Sequence, residues 1–127
     1  MKMFHFQEIG KEIIYIMYNE NYFDDARYFS ITKNKKPVCI YGVITRSDDT
    51  AEVLWIVDSF RKDGFTKELF INLFNHFSAL GFKRFYSWTR CKKLTNILNN
   101  FKKYGIEKTD YPFWDSDETK TWFMKRI

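Results

Sequence analysis

Between an apolar run that ends at Val57 and a helix-like run that begins near Thr66 lies the stretch FRKDGFTKEL, residues 60–69. Its chemistry is that of an anion site. The first amides of a helix have no partner within the helix, and the helix dipole adds positive potential there, so a phosphate can settle on them. Gly64 has no side chain to hold a phosphate off the backbone. Arg61, Lys62 and Lys67 add positive charge, and Asp63 opposes them. Many strand-to-helix turns share this composition without binding anything, so the stretch alone leaves both readings open. A second pattern joins aromatic rings to cations: Phe82, Phe85, Tyr86 and Trp88 alternate with Lys83, Arg84 and Arg90. On an open sheet such rings stack single-stranded nucleic acid. In a strand flanked by helices they are core, which is the reading adopted here, so nucleic acid is not the expected partner. Cys39 and Cys91 form no CxxC pair, and His5 and His76 are far apart. A zinc site needs four ligands, or three and a water, so no metal is expected.

The elements that must position these residues follow from the periodicity. Phe6, Ile9, Ile13, Ile16 and Met17 recur at helical spacing and predict an amphipathic helix at the start, interrupted by Gly10. Two β-rich runs flank Lys33-Asn34-Lys35-Lys36, with Pro37 opening the second, and Ser47-Asp48-Asp49 is a further turn. The unbroken apolar core Val53–Val57 suits a strand covered on both faces. Leu69, Phe70, Leu73, Phe74, Phe77 and Leu80 give the strongest helix, stopped by Gly81. The strand FKRFYSWTR follows, then a helix with Leu94, Ile97, Leu98, Phe101 and Tyr104 on one face, closing at Gly105. Two last β-rich runs flank an acidic turn at Asp115–Glu118. The order α-β-β-β-α-β-α-β-β describes an α/β (α+β) domain with helices on the faces of a mixed sheet.

The chain has 127 residues, 45% of them hydrophobic and 20% aromatic, enough for one folded domain spanning 1–127. Its net charge of +5 favours anionic partners without choosing among a phosphate-bearing cofactor, nucleic acid and an acidic protein. No apolar run approaches the ~18 residues of a membrane span. Glu8 and Glu12 interrupt the opening apolar pattern, which a secretion signal would not allow. The expectation is a soluble protein of the cytoplasm, with no membrane partner.

The stretch Arg61-Lys62-Asp63-Gly64-Phe65-Thr66 resembles the central motif of the GNAT family of N-acetyltransferases: Arg or Gln, two residues, Gly, one residue, then Gly or Ala. LWIVDSF fits the family's fourth strand, with Phe60 at a usually aromatic position. NILNNFKKYGI, closed by Gly105 and Ile106, resembles its second motif. The element order agrees from about Tyr28 onward. The resemblance implies a mostly antiparallel mixed sheet whose fourth and fifth strands splay apart to take the acyl-pantetheine arm of acetyl-CoA. Backbone groups of Trp55, Ile56 and Val57 would pair with the pantetheine amides. Arg61, Lys62, Gly64, Phe65, Thr66 and Lys67 would hold the pyrophosphate.

The reaction would be attack of an amine, on a small molecule or a protein, at the thioester carbonyl. It needs a base and carbonyl-polarising donors. Glu52 and Asp58 are the candidate bases, although Glu52 also reads as a solvated strand end and Asp58 as a partner for Arg61. Tyr104 is a candidate proton donor that equally reads as a packed core tyrosine. Thr66 stands where the family has a small residue, and Phe101 stands where it has its proton-donating tyrosine. These two departures support an alternative: a non-catalytic protein of GNAT fold, such as a small bacteriophage protein acting inside a virion or an infected host on viral or host proteins.

Overall fold

The computed structural model describes residues 4–58, 66–90 and 102–127. The first two strands are β1 (Phe4–Ile9) and β2 (Ala26–Lys33), with helix α1 (Lys11–Tyr18) between them. Next come β3 (Lys36–Ser47) and β4 (Thr50–Asp58), then helix α2 (Thr66–Ala79). Strands β5 (Arg84–Thr89), β6 (Glu107–Thr109) and β7 (Thr121–Arg126) complete the sheet. The seven strands lie in the order β1-β2-β3-β4-β5-β7-β6. Only β4 and β5 run parallel; the other neighbours are antiparallel. This is the mixed, mostly antiparallel sheet expected.

Each face of the sheet carries one described helix. Ala51 and Val53 of β4 join Leu69, Phe70, Leu73 and Phe77 of α2 in the larger core. Leu54 faces the other way and packs with Ile14 of α1, Tyr28, Ile40 and Ile44. This alternation confirms that β4 is covered on both sides, as its unbroken apolar run demanded. Tyr28 lies opposite Gly42 in the β2–β3 register. A Cβ on Gly42 would stand 2.6 Å from the Tyr28 ring, so only glycine lets that ring lie flat there.

Local chemistry sets the turns. Asn34 and Lys35 both have positive φ, 52° and 66°, the two-residue connection whose twist suits a β-hairpin. Gly81, at φ 96°, ends α2 while Phe82 N–H reaches back to the Phe77 carbonyl. Gly105, at φ 79°, closes the last turn of the second motif helix, of which Lys102 and Lys103 are described. Residues 91–101, on which the rest of the expected helix and Phe101 fall, lie outside the described residues.

The N-terminus corrects the sequence reading. Instead of one amphipathic helix, residues 4–9 form an edge strand paired with β2, and α1 starts only after Gly10, whose extended backbone caps it. Phe4 and Phe6 alternate toward the larger core, a period of two that the fortuitous spacing of Phe6, Ile9 and Ile13 concealed. The buried face of α1 also differs. Ile14 is fully buried and Tyr18 packs beside it, whereas Ile16 and Met17 are 76% and 69% exposed.

Candidate active site

The β4–β5 ladder holds four residue pairs, from Thr50↔Arg84 to Val53↔Ser87. Both strands continue, β4 to Asp58 and β5 to Thr89, but no longer as partners. Just beyond the last pair, β4 carries a bulge. Ile40 of β3 faces Val57 and Tyr41 faces Trp55, so Ile56 has no opposite number. A bulge bends its strand and increases its twist. This one therefore turns β4 away at the point where β5 stops pairing with it. Pairing between the two parallel strands thus ends in a divergence, a wedge with Trp55 and Ile56 on one strand and Trp88 and Thr89 on the other. Helix α2 starts at Thr66, as expected. The turn that precedes it, with Arg61, Lys62, Gly64 and Phe65, lies outside the described residues.

Glu52 sits one pair inside the divergence and is only 4% exposed. It is not a solvated strand end. Its Oε1 accepts from Arg46 Nε (3.0 Å), Arg46 Nη2 (2.8 Å) and Trp114 Nε1 (3.0 Å), and its Oε2 accepts from Trp88 Nε1 (2.9 Å). Arg46 reaches it because β3 has its own irregularity there: Thr45 faces Ala51 and Ser47 faces Thr50, leaving Arg46 as an extra residue. One carboxylate thus ties together a bulge in β3, the end of β5 and the loop before β7. The Arg46 guanidinium also lies 5.5 Å from the centre of the Trp114 ring.

Trp88, at the mouth of the opening, has the Lys120 ammonium 4.3 Å and the Arg90 guanidinium 4.8 Å from its ring centre. Both cations are held by the acidic turn: Lys120 by Asp115 and Arg90 by Asp117. The Thr119 hydroxyl and backbone N–H, helped by Arg90, push the Asp117 carboxyl down to about 2. The rings of the aromatic strand are therefore engaged in packing: Phe85 is buried, and Tyr86 sets its edge against Trp114.

The other sequence candidates lie as follows. Asp58 ends β4 opposite Cys39. Tyr104 packs on the larger core with its ring 5.0 Å from Phe70. Trp55 packs on the same core, 5.8 Å from the Tyr41 ring, while Ile56 joins the opposite one.

Sequence reasoning missed the pair Tyr41 and His76, 35 residues apart. The Tyr41 Oη lies 2.5 Å from His76 Nδ1 under α2, walled by Phe6, Phe29 and Phe77. Burial raises the Tyr41 hydroxyl far above its usual range and lowers the His76 imidazole. The bond joins a neutral phenol and a neutral imidazole, and its direction follows the imidazole tautomer. Among the described residues, no three His, Cys, Asp or Glu side chains are grouped to hold a metal, and no helix is long and apolar enough to cross a membrane.

No protein-family model matches the chain, and no curated protein matches it. Solved structures do match in fold. A GNAT family acetyltransferase from Elizabethkingia anophelis, solved with acetyl-CoA bound, superposes with a TM-score of 0.66 at 14% identity, covering 98% of each chain. An acetyltransferase from Bacillus subtilis in complex with CoA gives 0.66 at 15%, over 100% of this chain and 99% of that one. A chimeric spermidine N-acetyltransferase from Vibrio cholerae gives 0.70 at 10%, over 97% and 95%. The class the architecture defines is thus the GNAT fold, with its helices on both faces and its parallel β4–β5 seam.

Proposed function

We propose that this protein is an acyl-CoA-dependent N-acyltransferase that moves an acetyl group to an amine. The observation that carries the reading is the wedge: a parallel pair that parts after Val53↔Ser87, beside a bulge at Ile56. The two amides of a pantetheine arm can pair with strand backbone where two strands part. The two neighbours solved with acetyl-CoA or CoA share the fold over nearly the whole chain, which supports the same cofactor here.

In this reading Trp55, Ile56 and Val57 line the arm. Arg61, Lys62, Gly64, Phe65, Thr66 and Lys67 hold the pyrophosphate at the start of α2. The acceptor nitrogen attacks the thioester carbonyl, a C–N bond forms, the C–S bond breaks, and the thiolate leaves as CoA. Asp58 removes the ammonium proton. Glu52 is the weaker choice of base, because both its oxygens already accept hydrogen bonds and its neighbours are indoles and a guanidinium. Its role is to position Trp88 at the mouth. Tyr104 gives its hydroxyl proton to the departing thiolate in place of Phe101 and regains one from the attacking nitrogen, which sheds its second proton as the amide forms.

The test is a melting curve with saturating acetyl-CoA. At a hundred times the dissociation constant a ligand stabilises by about 2.7 kcal/mol. Gly64→Glu, which puts bulk and negative charge against the phosphates, is expected to remove the shift. A thiol-release assay across several amines then reads turnover, and Asp58→Asn is expected to lower it by roughly 10²–10⁴-fold. No melting shift with acetyl-CoA would overturn the proposal in favour of a non-catalytic binding or assembly role.

A further inference from the structure

A primary amine of the chain itself stands over the mouth of the wedge. Thr121↔Thr89 is the last pair of the β5–β7 ladder, so Lys120 lies one residue beyond it, at the end of β5. Its side chain turns back over the sheet. The ammonium sits 4.3 Å from the centre of the Trp88 ring and 5.6 Å from that of Trp122. Asp115 holds it there, and the two side chains of this pair are only 15% and 16% exposed. Trp88 packs in one cluster with Ile56, the bulged residue across the divergence. In the acyltransferase reading the thioester comes to that same divergence.

The charges around this amine are matched. Asp115 accepts from Lys120 and from the Asp117 N–H. Asp117 is bound to Arg90, the other cation against Trp88 among the described residues. Glu52, bonded to the same indole, also accepts from Arg46 and Trp114. Of the two cations on Trp88, the lysine is the one that can be acylated. Deprotonated, it is a nucleophile, whereas a guanidinium stays charged. One polar group of the cage is left over. The Trp122 indole N–H is buried and has no acceptor among the described residues. A buried donor without a partner calls for an explanation. An ammonium offers donors only, so Lys120 cannot satisfy that N–H. The carbonyl of an acetyl-lysine can. The cage thus holds what the acetylated side chain needs: ring faces for the methyl group and an unused donor for the oxygen.

We propose that Lys120 is a self-acetylation site, to which the chain transfers the acetyl group of its own bound acetyl-CoA. The ammonium first loses a proton to solvent. Nζ then attacks the thioester carbonyl, a C–N bond forms and the C–S bond breaks. CoA leaves as the thiolate and takes up the second proton that the nitrogen sheds. The acetylated side chain is neutral, so Trp88 loses one of its cations and Asp115 loses its ion pair. The proposal rests on the acyltransferase reading for the donor and adds an acceptor to it.

The experiment incubates the full chain with acetyl-CoA and no other amine, and follows each acetylated lysine by peptide mass spectrometry over time. Uncatalysed acetylation follows exposure and favours Lys35, Lys36 and Lys108. Lys120 is expected to be labelled at least about tenfold faster than any of these, because its amine is held in place. The rate should not depend on the concentration of the chain. Lys120→Arg, which keeps a cation over Trp88, should remove the fast label from the intact mass. Labelling of Lys120 no faster than that of the exposed lysines would overturn the proposal. So would a rate that rises with chain concentration, since transfer would then pass between copies, or a fast label that survives Lys120→Arg. A thiol-release assay with small amines separates the two readings. Turnover of small amines with Lys120 unlabelled counts against this site alone, whereas neither turnover nor label removes both.

Discussion

The two faces of the sheet bury polarity in opposite ways. On the α1 face, the Glu52 carboxylate is ringed by donors from β3, β5 and the loop before β7. On the α2 face, Tyr41 and His76 are neutral and make a single bond within an aromatic cage. A buried charge survives only when its partners come with it, and removing one partner exposes the desolvation cost of the rest. A neutral pair has less to lose. The α1 face is therefore the brittle side of the molecule, and it is the side on which the wedge is braced.

Three measurements would break or sharpen that contrast. The largest effect is expected from Glu52→Ala, which leaves a guanidinium and two indole N–H groups without their acceptor. Urea denaturation should show a loss of about 3–5 kcal/mol. Adding Arg46→Met should recover part of it, since the unpaired cation goes too. A loss below about 1 kcal/mol would mean the carboxylate is not the brace described.

Tyr41→Phe should cost less, about 1 kcal/mol, because it removes one neutral hydrogen bond and leaves the half-buried His76 nitrogen to the aromatic rings. A cost equal to that of Glu52→Ala would erase the distinction between the faces.

The smallest effect is in pH. The His76 value is depressed in the folded chain from 6.5, chiefly by burial and next by Arg27, with Glu8 opposing. The unfolded state therefore binds the proton more readily. The neutral pair's contribution is complete above about pH 6.5 and is lost as the pH falls below that. Urea midpoints should decline over this range more for the native chain than for His76→Phe. Parallel curves would show that His76 is not the group titrating.

The sequence-level reading succeeded where one local pattern decides. Leu69, Phe70, Leu73 and Phe77 recur at three and four and are all buried, and Gly81 takes the left-handed turn that a helix stop requires. It failed at the N-terminus because six residues of edge strand and eight of helix, joined at Gly10, happen to share an apolar spacing. Three of the five residues that looked like the buried face of that helix, Ile13, Ile16 and Met17, are exposed. The environment of Glu52 was not legible for a different reason. Its partners lie 6, 36 and 62 residues away, and no local rule joins them. One signal was present. Leu54 and Glu52 must share a face of β4, so an acid there faced apolar cover and needed donors; a chain with four tryptophans has indoles to offer.

The parallel seam also bears on how the chain assembles. Strands β1 to β4 are neighbours both in sequence and in space, joined in sequence by hairpins or by one short helix. Contacts of that kind close short loops and form early. Among the described residues, the sheet joins β5 to β7 to them through four ladder pairs, across a crossover that must first be spanned. The expected order is a nucleus of β2, β3 and β4 to which the C-terminal arm docks late. In pulsed hydrogen exchange, amides of Tyr41 and Val43 should gain protection before those of Trp122 and Phe123, and simultaneous protection would contradict it. Such a chain is a natural candidate for fragment complementation: cut between the two halves, the pieces would reassemble along the same short seam that opens to form the wedge.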